Sequence, residues 1–236
     1  MLFNPNATLT VIRFDERHSC HVMDDALLDP EALVQFAAER RTEFRRVEAD
    51  PYPGQSLAPP PAVTRELGQL FTTRLRGAFD ARRLLQTHCR LSMVTLAPTA
   101  LRPEQWLCHR DGESLGPRHG RQASLLYLFR DESLGGTRFY EPVRSDADTA
   151  RIFDDARRLA PQEFSVRYGV KPGYIGDSTD FFMCVGAVPA RWNRLVFYDG
   201  GTLHSGDIPH PERLSEDPRS GRLTLNGFFT SRRNVA

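Results

Sequence analysis

The sequence predicts a mainly β protein with flanking helices (α+β), built as an antiparallel barrel or sandwich. Three observations carry that prediction. From Arg90 onward the chain breaks into short β-type segments separated by turns rich in Gly and Pro. Before that point two amphipathic helical patterns stand on either side of a Pro-rich loop. One more helical pattern, from about Asp148 to Leu159, interrupts the β region.

The elements follow in order. Thr8 to Phe14 alternates as a short strand does. Leu28-Asp29-Pro30-Glu31 opens a helix, with Asp29 as N-cap and Pro30 in the first turn, where its missing N–H costs nothing. Leu33, Phe36 and Ala37 carry that helix to about Arg41. Pro51 to Gln55 and Pro59-Pro60-Pro61 read as loop, because Pro and Gly interrupt regular ladders. A second helix is expected from Val63 to about Leu85, with Leu67, Leu70, Phe71, Leu75 and Phe79 on one face. Strands are then expected at Leu91 to Leu96, Ala123 to Phe129, Thr137 to Glu141, Phe164 to Tyr168, Phe181 to Val188, Leu195 to Tyr198 and Leu223 to Phe229.

Composition excludes several classes. With 31 basic against 30 acidic residues, and arginines scattered along the chain, nucleic-acid binding has no electrostatic support. Lys171 is the only lysine. Cys20, Cys89, Cys108 and Cys184 lie far apart with no CxxC pair, which fits a reducing compartment better than a disulfide framework. Met1 to Asn6 does not read as a signal peptide, and no apolar run approaches membrane-spanning length. The expectation is a soluble, cytoplasmic protein. No GxSxG elbow, phosphate-binding loop or dinucleotide fingerprint occurs.

The chemistry gathers at Trp106-Leu107-Cys108-His109-Arg110-Asp111-Gly112. His109 and Asp111 stand two apart, so on an extended backbone both project from one face and offer a corner to a metal. A lone His-x-Asp is a weak signal; two later pieces give it weight. His204 follows the apolar stretch Leu195 to Tyr198 across a turn, and Arg222 opens the last apolar strand. His210 competes with His204, but it lies between two prolines in a polar loop.

The ordered set His109-x-Asp111, Tyr127-Leu128-Phe129, Gly135-Gly136-Thr137-Arg138-Phe139-Tyr140, Asn193 to Phe197 leading to His204, and Gly221 to Asn226 resembles the Fe(II)- and 2-oxoglutarate-dependent dioxygenases, in their prolyl-hydroxylase-like branch. The resemblance covers about Leu91 to Phe229. It implies a double-stranded β-helix, or jelly-roll, with residues 1–88 as buttress, 89–230 as catalytic core and a helical insertion at about 148–160, all in a single domain over 1–236. It implies that His109, Asp111 and His204 are the iron ligands, that Arg222 pairs with the distal carboxylate of 2-oxoglutarate, and that Thr224 and Tyr127 also serve the cofactor. Two imidazoles and one carboxylate leave open positions on Fe(II), as a non-haem oxygenase needs for the keto acid and dioxygen. A planar guanidinium clamps a carboxylate through two parallel hydrogen bonds and stays charged when buried. The implied activity is hydroxylation of a small amino-acid, peptide or natural-product substrate, with release of succinate and CO2.

Each piece has a plainer reading. His109 and Asp111 could be a hydrogen-bonded pair at a strand end, and Arg222 a surface charge. Trp106 either lines the substrate mouth or packs. Arg102, Arg118, His119 and Arg121 sit in the segments Pro98 to Trp106 and Gly112 to Gln122, which with Ser205 to Ser220 are loops suited to overhang a site; Arg118 and Arg121 are candidates to meet an anionic substrate. His18-Ser19-Cys20-His21 lacks the complementary ligand pair of a structural zinc, and Cys108, beside a ligand but facing away, is expected to pack. Two rival classes remain: a cupin-type metal enzyme indifferent to Arg222, and a non-catalytic jelly-roll binding module.

Overall fold

A computed structural model describes residues 1–46, 51–112 and 116–234. Among the described residues ten strands form two antiparallel sheets: β1 (Leu9–Arg13), β2 (Ser19–Met23), β3 (Gly54–Leu57), β4 (Ala81–Val94), β5 (His119–Tyr127), β6 (Thr137–Pro142), β7 (Phe182–Val188), β8 (Leu195–Asp199), β9 (Leu203–Gly206) and β10 (Leu223–Arg233). The large sheet runs in the order β1-β2-β8-β5-β10-β4-β3 and the small one β7-β6-β9. Among the described residues there are four α-helices: α1 (Pro30–Glu39), α2 (Pro61–Leu70), α3 (Asp146–Arg158) and α4 (Pro161–Tyr168).

Alternation along the strands sorts side chains into layers. Met23, Leu126, Phe197, Leu225 and Phe229 face the helices, where they pack with Leu33 and Val34 of α1 and Val63 and Leu67 of α2. The opposite face of the large sheet, through Val22, Ala123, Tyr127 and Val196, meets Phe139 and Val188 of the small sheet. Tyr140 points the other way from Phe139 and packs with Phe182, Ile152 of α3 and Phe164 of α4. The site must therefore open between the two sheets, since helices cover both outer faces.

Several expectations are corrected. The second helix does not reach Leu85: α2 ends at Leu70, continues through a π turn (Phe71–Leu75) and a 3-10 turn (Arg76–Phe79), and stops where Asp80 takes a left-handed backbone at φ 50°. Ala81 to Leu85 instead starts β4, whose pairing with β10 from Met93 to Ala81 overrides local helical preference. Phe164 to Tyr168 is helical, not a strand; Pro161 begins α4 and Gly169, at φ 67°, ends it, while Val166 faces solvent. The loop expected at Pro51 to Gln55 ends at Pro53, and Gly54 and Gln55 already belong to β3. Strands β2 and β9 were not anticipated; His204, expected just beyond the turn that follows Tyr198, lies on β9.

One glycine frames the site. Gly135 holds φ 85° and ψ 159°, a region that essentially only glycine occupies, and a Cβ there would come 1.8 Å from the Asp207 carbonyl oxygen. Gly135→Ala should cost more than the ~1–3 kcal/mol of backbone strain alone, read as a lowered urea midpoint with an unchanged slope.

Candidate metal and anion site

His109 sits where the chain touches the edge of the small sheet. Its N–H donates to the His204 carbonyl at 2.9 Å and the His204 N–H returns the bond at 2.8 Å, so the two residues face each other as an antiparallel bridge. This pairing brings the imidazoles together, with ring centroids 4.5 Å apart. Asp111 is anchored from the other sheet: its N–H donates to the Gly200 carbonyl at 2.8 Å, and Gly200 in turn donates to the Arg121 carbonyl. Its carboxylate lies 3.9 Å from His109 Nε2 and 3.4 Å from His204 Nε2. Among the described residues these three form the one group whose potential ligand atoms all lie within 4.8 Å of one another.

The protonation pattern suits a cation. The Thr202 carbonyl, 2.8 Å from His204 Nδ1, can only accept, so Nδ1 carries the hydrogen and a neutral ring presents the Nε2 lone pair to the group's centre. Asp111 Oδ2 is buried without a hydrogen-bond partner among the described residues. A buried carboxylate oxygen left in that state calls for a positive partner. Burial pushes the Asp111 carboxyl up, and the adjacent His204 and His109 more than reverse this, leaving its pKa lowered. Two imidazoles and one carboxylate therefore fit a non-haem Fe(II) centre with open positions.

The triad lines a cavity of about 400 Å³ that also contains Arg222, Thr224, Asn226, Tyr198, Arg90 and Arg121. Arg222 is 2% exposed. Its Nε donates to the carbonyls of Leu134 and Gly135, and its Nη2 to that of Gly136 at 2.6 Å. No acidic side chain pairs with it among the described residues. The edge carrying Nη1 is left for a ligand, so the chain has buried a cation whose counter-charge it does not supply. Thr224 Oγ1 donates to Asn226 Oδ1 at 2.9 Å, which turns the Asn226 amide nitrogen, a donor, away from that bond.

The other expected residues divide. Arg121 lines the cavity; Arg118 does not. Tyr127 lies behind the wall, fully buried, its hydroxyl 2.9 Å from that of Thr137, which does line the cavity. Trp106 packs: it is 3% exposed, sets its edge against Phe164, and donates from Nε1 to the Leu101 carbonyl. Trp106→Ala should cost about 3–5 kcal/mol of stability with metal affinity unchanged, which paired denaturation and metal titration would read. Cys108 is buried in the same cluster, its thiol pKa driven upward by burial. His210 is exposed beside Glu212, and His18 sits against Asp15; neither joins a metal cluster among the described residues. Of the overhanging loops, residues 113–115 lie outside the described residues. Arg90, Asn226 and Tyr198 escaped the sequence reading, because nothing local marks them: β4, β10 and β8 place them on one cavity only through long-range pairing.

A family model described as "Family of unknown function (DUF6445)" matches residues 5–229. No curated protein matches the chain. Among solved structures, the chain is similar to a prolyl-4-hydroxylase from Pseudomonas putida at 16% identity, covering 93% of this chain and 95% of that one with a TM-score of 0.44. It is also similar to HygX from Streptomyces hygroscopicus with nickel and 2-oxoglutarate bound, at 12% identity, 92% and 84% coverage and a TM-score of 0.48. A third is an N-substituted L-amino acid dioxygenase from Burkholderia ambifaria AMMD, at 12% identity, 89% and 81% coverage and a TM-score of 0.39. No helix among the described residues is long and apolar enough to cross a membrane.

Proposed function

We propose that this chain, which belongs to the DUF6445 family, is an Fe(II)- and 2-oxoglutarate-dependent oxygenase with a jelly-roll core, acting on a small amino-acid, peptide or natural-product substrate. One observation carries the reading: a convergent His109–Asp111–His204 set shares its cavity with a buried arginine, Arg222, that has no acidic partner among the described residues. A metal site alone would fit many enzymes. A metal site together with a buried carboxylate receptor fits a co-substrate that chelates at one end and carries a carboxylate at the other.

The residues then take distinct roles. His109, Asp111 and His204 hold Fe(II), and Arg222 receives the distal carboxylate through its free edge. Thr224 holds Asn226 by its Oδ1, which leaves the amide nitrogen of this cavity-lining residue to serve as a donor. Held there, Fe(II) and the keto acid would supply the oxidising chemistry, in which decarboxylation to succinate and CO2 is coupled to hydroxylation of a substrate carbon. Tyr198, buried edge-on against His204 with its ring 4.7 Å away, keeps that imidazole from rotating and excludes water behind it.

Anaerobic titration of the protein with Fe(II) and 2-oxoglutarate, followed by visible absorption, tests the reading. A weak charge-transfer band is expected, lost in His109→Ala and weakened in Arg222→Ala. Metal binding with no response to the keto acid would instead favour a cupin-type enzyme; binding of neither would withdraw the enzyme assignment.

A further inference from the structure

The long strand β4 is covered along only part of its outer side. Its 14 residues exceed the ~3–10 usual for a strand. On one side β10 pairs with it from Met93 to Ala81. On the other, β3 pairs only with Leu91 to Val94, and β3 is the last strand of that sheet. The reason is local: β3 runs into Pro59-Pro60-Pro61, which offers no N–H to a ladder and turns the chain into α2. From Ala81 to Arg90 the outer edge of β4 therefore meets no strand among the described residues. Such an edge is a template for another chain.

A groove of about 830 Å³ runs beside this edge, between Thr64, Gly68 and Thr72 on the helical side and Leu84, Thr87 and Cys89 on the strand. Gly68 brings the helix close to the strand, since a Cβ there would fall 2.8 Å from Thr87 Oγ1. Charge along the edge is of one sign. Ala81 to Arg90 holds three arginines, His88 and no acid. Arg90 turns into the metal cavity. Arg82 and Arg83 are exposed and make no ion pair among the described residues, and Arg65 lines the groove. Asp80, next to the edge, accepts from Asn234 Nδ2 at 3.1 Å, and Glu66 on α2 accepts from the Leu2 N–H at 2.6 Å.

We propose that the outer edge of β4 from Arg82 to Cys89 docks an extended acidic segment of a partner protein. The segment adds to the sheet as a further strand, with alternate side chains entering the groove against α2 and carboxylates meeting Arg82, Arg83 and Arg65. Two arguments choose this occupant. A strand edge alternates donors and acceptors at the peptide repeat, which a polypeptide matches and a phosphate backbone, with acceptors only, does not. A second copy would set one basic edge against another, and like charges opposite each other destabilise a strand pair. The groove and the metal cavity have different linings, so the docking site stands whether or not the chain is an oxygenase.

A blocked, fluorescein-labelled peptide of about ten residues, alternating Glu and Val, is titrated into the protein and followed by anisotropy, beside its Lys–Val counterpart. The acidic peptide should bind about tenfold more tightly or better. Hydrogen–deuterium exchange should slow at residues 82–89 and stay unchanged at β1, the opposite edge of the sheet. Arg82→Glu combined with Arg83→Glu, at two exposed positions, should keep the melting temperature and reverse the preference, and about 0.5 M NaCl should shrink it in the wild type. Methylating the backbone nitrogens of alternate peptide residues should abolish binding in one of the two settings and spare the other, as a one-sided strand contact demands. Equal binding of the two peptides, a preference that survives the double variant, or slowed exchange confined to other residues overturns the proposal. So does slowed exchange at 82–89 that needs no peptide and grows with protein concentration alongside a dimer in sedimentation, because the occupant is then a second copy.

Discussion

Asp111→Asn should weaken binding of a divalent cation more than about a hundredfold. Loss of a partner that merely orients a ligand costs about 10–100-fold in metal affinity, and Asp111 is the only carboxylate in the cluster among the described residues. The amide keeps the shape of the side chain and the backbone bond to Gly200, so the fold should persist. Calorimetric titration of the wild type and variant with Co(II), beside a thermal melt of each metal-free protein, separates lost ligation from lost structure.

The same pair predicts a pH dependence. Burial pushes His204 towards the neutral form, but the Asp111 carboxylate and the Thr202 carbonyl outweigh it and raise its pKa. A raised histidine stabilises the metal-free protein below its unfolded pKa, and that stabilisation is lost as pH rises through the folded value. The lowered Asp111 contributes in the opposite sense: its share is present above the unfolded pKa and is lost as pH falls through the folded one. A cation needs both groups deprotonated, so its binding must expel the His204 proton. Co(II) affinity should therefore rise about tenfold per pH unit up to the raised His204 pKa and then level off. In Asp111→Asn the plateau should begin at lower pH, because the partner that raised the histidine has gone.

What could be read from the sequence, and what could not, follows from the range of the interactions. Asp29 capping α1 through Ala32, and the short β-type segments that became β6 and β8, are settled within a few residues of chain and were legible. The end of α2 was not, since Leu84 and Leu85 look helical and become strand only because β10 lies alongside. Phe164, Val166 and Tyr168 show how three alternating apolar residues mislead when the flanking Pro161 and Gly169 mark a helix. In the site, His109, Asp111 and His204 carried a local spacing and a strand-then-His signal. Arg90 did not stand out among so many arginines, and Arg121 was singled out only together with Arg118, which does not line the cavity; strand pairing with β10 is what places Arg90 and Arg121 there. The roles of Trp106 and Tyr127 hinged on strand irregularity and on which layer each ring enters, which spacing alone does not encode.

Arg222→Lys should raise the dissociation constant for 2-oxoglutarate by about ten- to a hundredfold, with metal affinity unchanged. Lysine keeps the charge, so a simple counter-ion role would leave the affinity nearly intact. What it lacks is the planar fork. In the wild type Nε and Nη2 of the guanidinium are spent on the carbonyls of Leu134, Gly135 and Gly136, which fixes the plane, and Arg222 lines the cavity. A single ammonium cannot satisfy three carbonyls and still present two parallel donors. The variant must therefore lose either the anchor or the clamp. Loss of the anchor would show as a lower melting temperature of the ligand-free protein, because each carbonyl left without a donor costs about 1–3 kcal/mol. Loss of the clamp would show as weaker keto-acid binding at unchanged melting temperature. Arg222→Ala should show both and bind the keto acid more weakly still. If Arg222→Lys and Arg222→Ala bind 2-oxoglutarate as the wild type does while the metal still binds, Arg222 is a structural brace for the turn at Gly135. The cavity would then belong to a metal enzyme that does not use the keto acid.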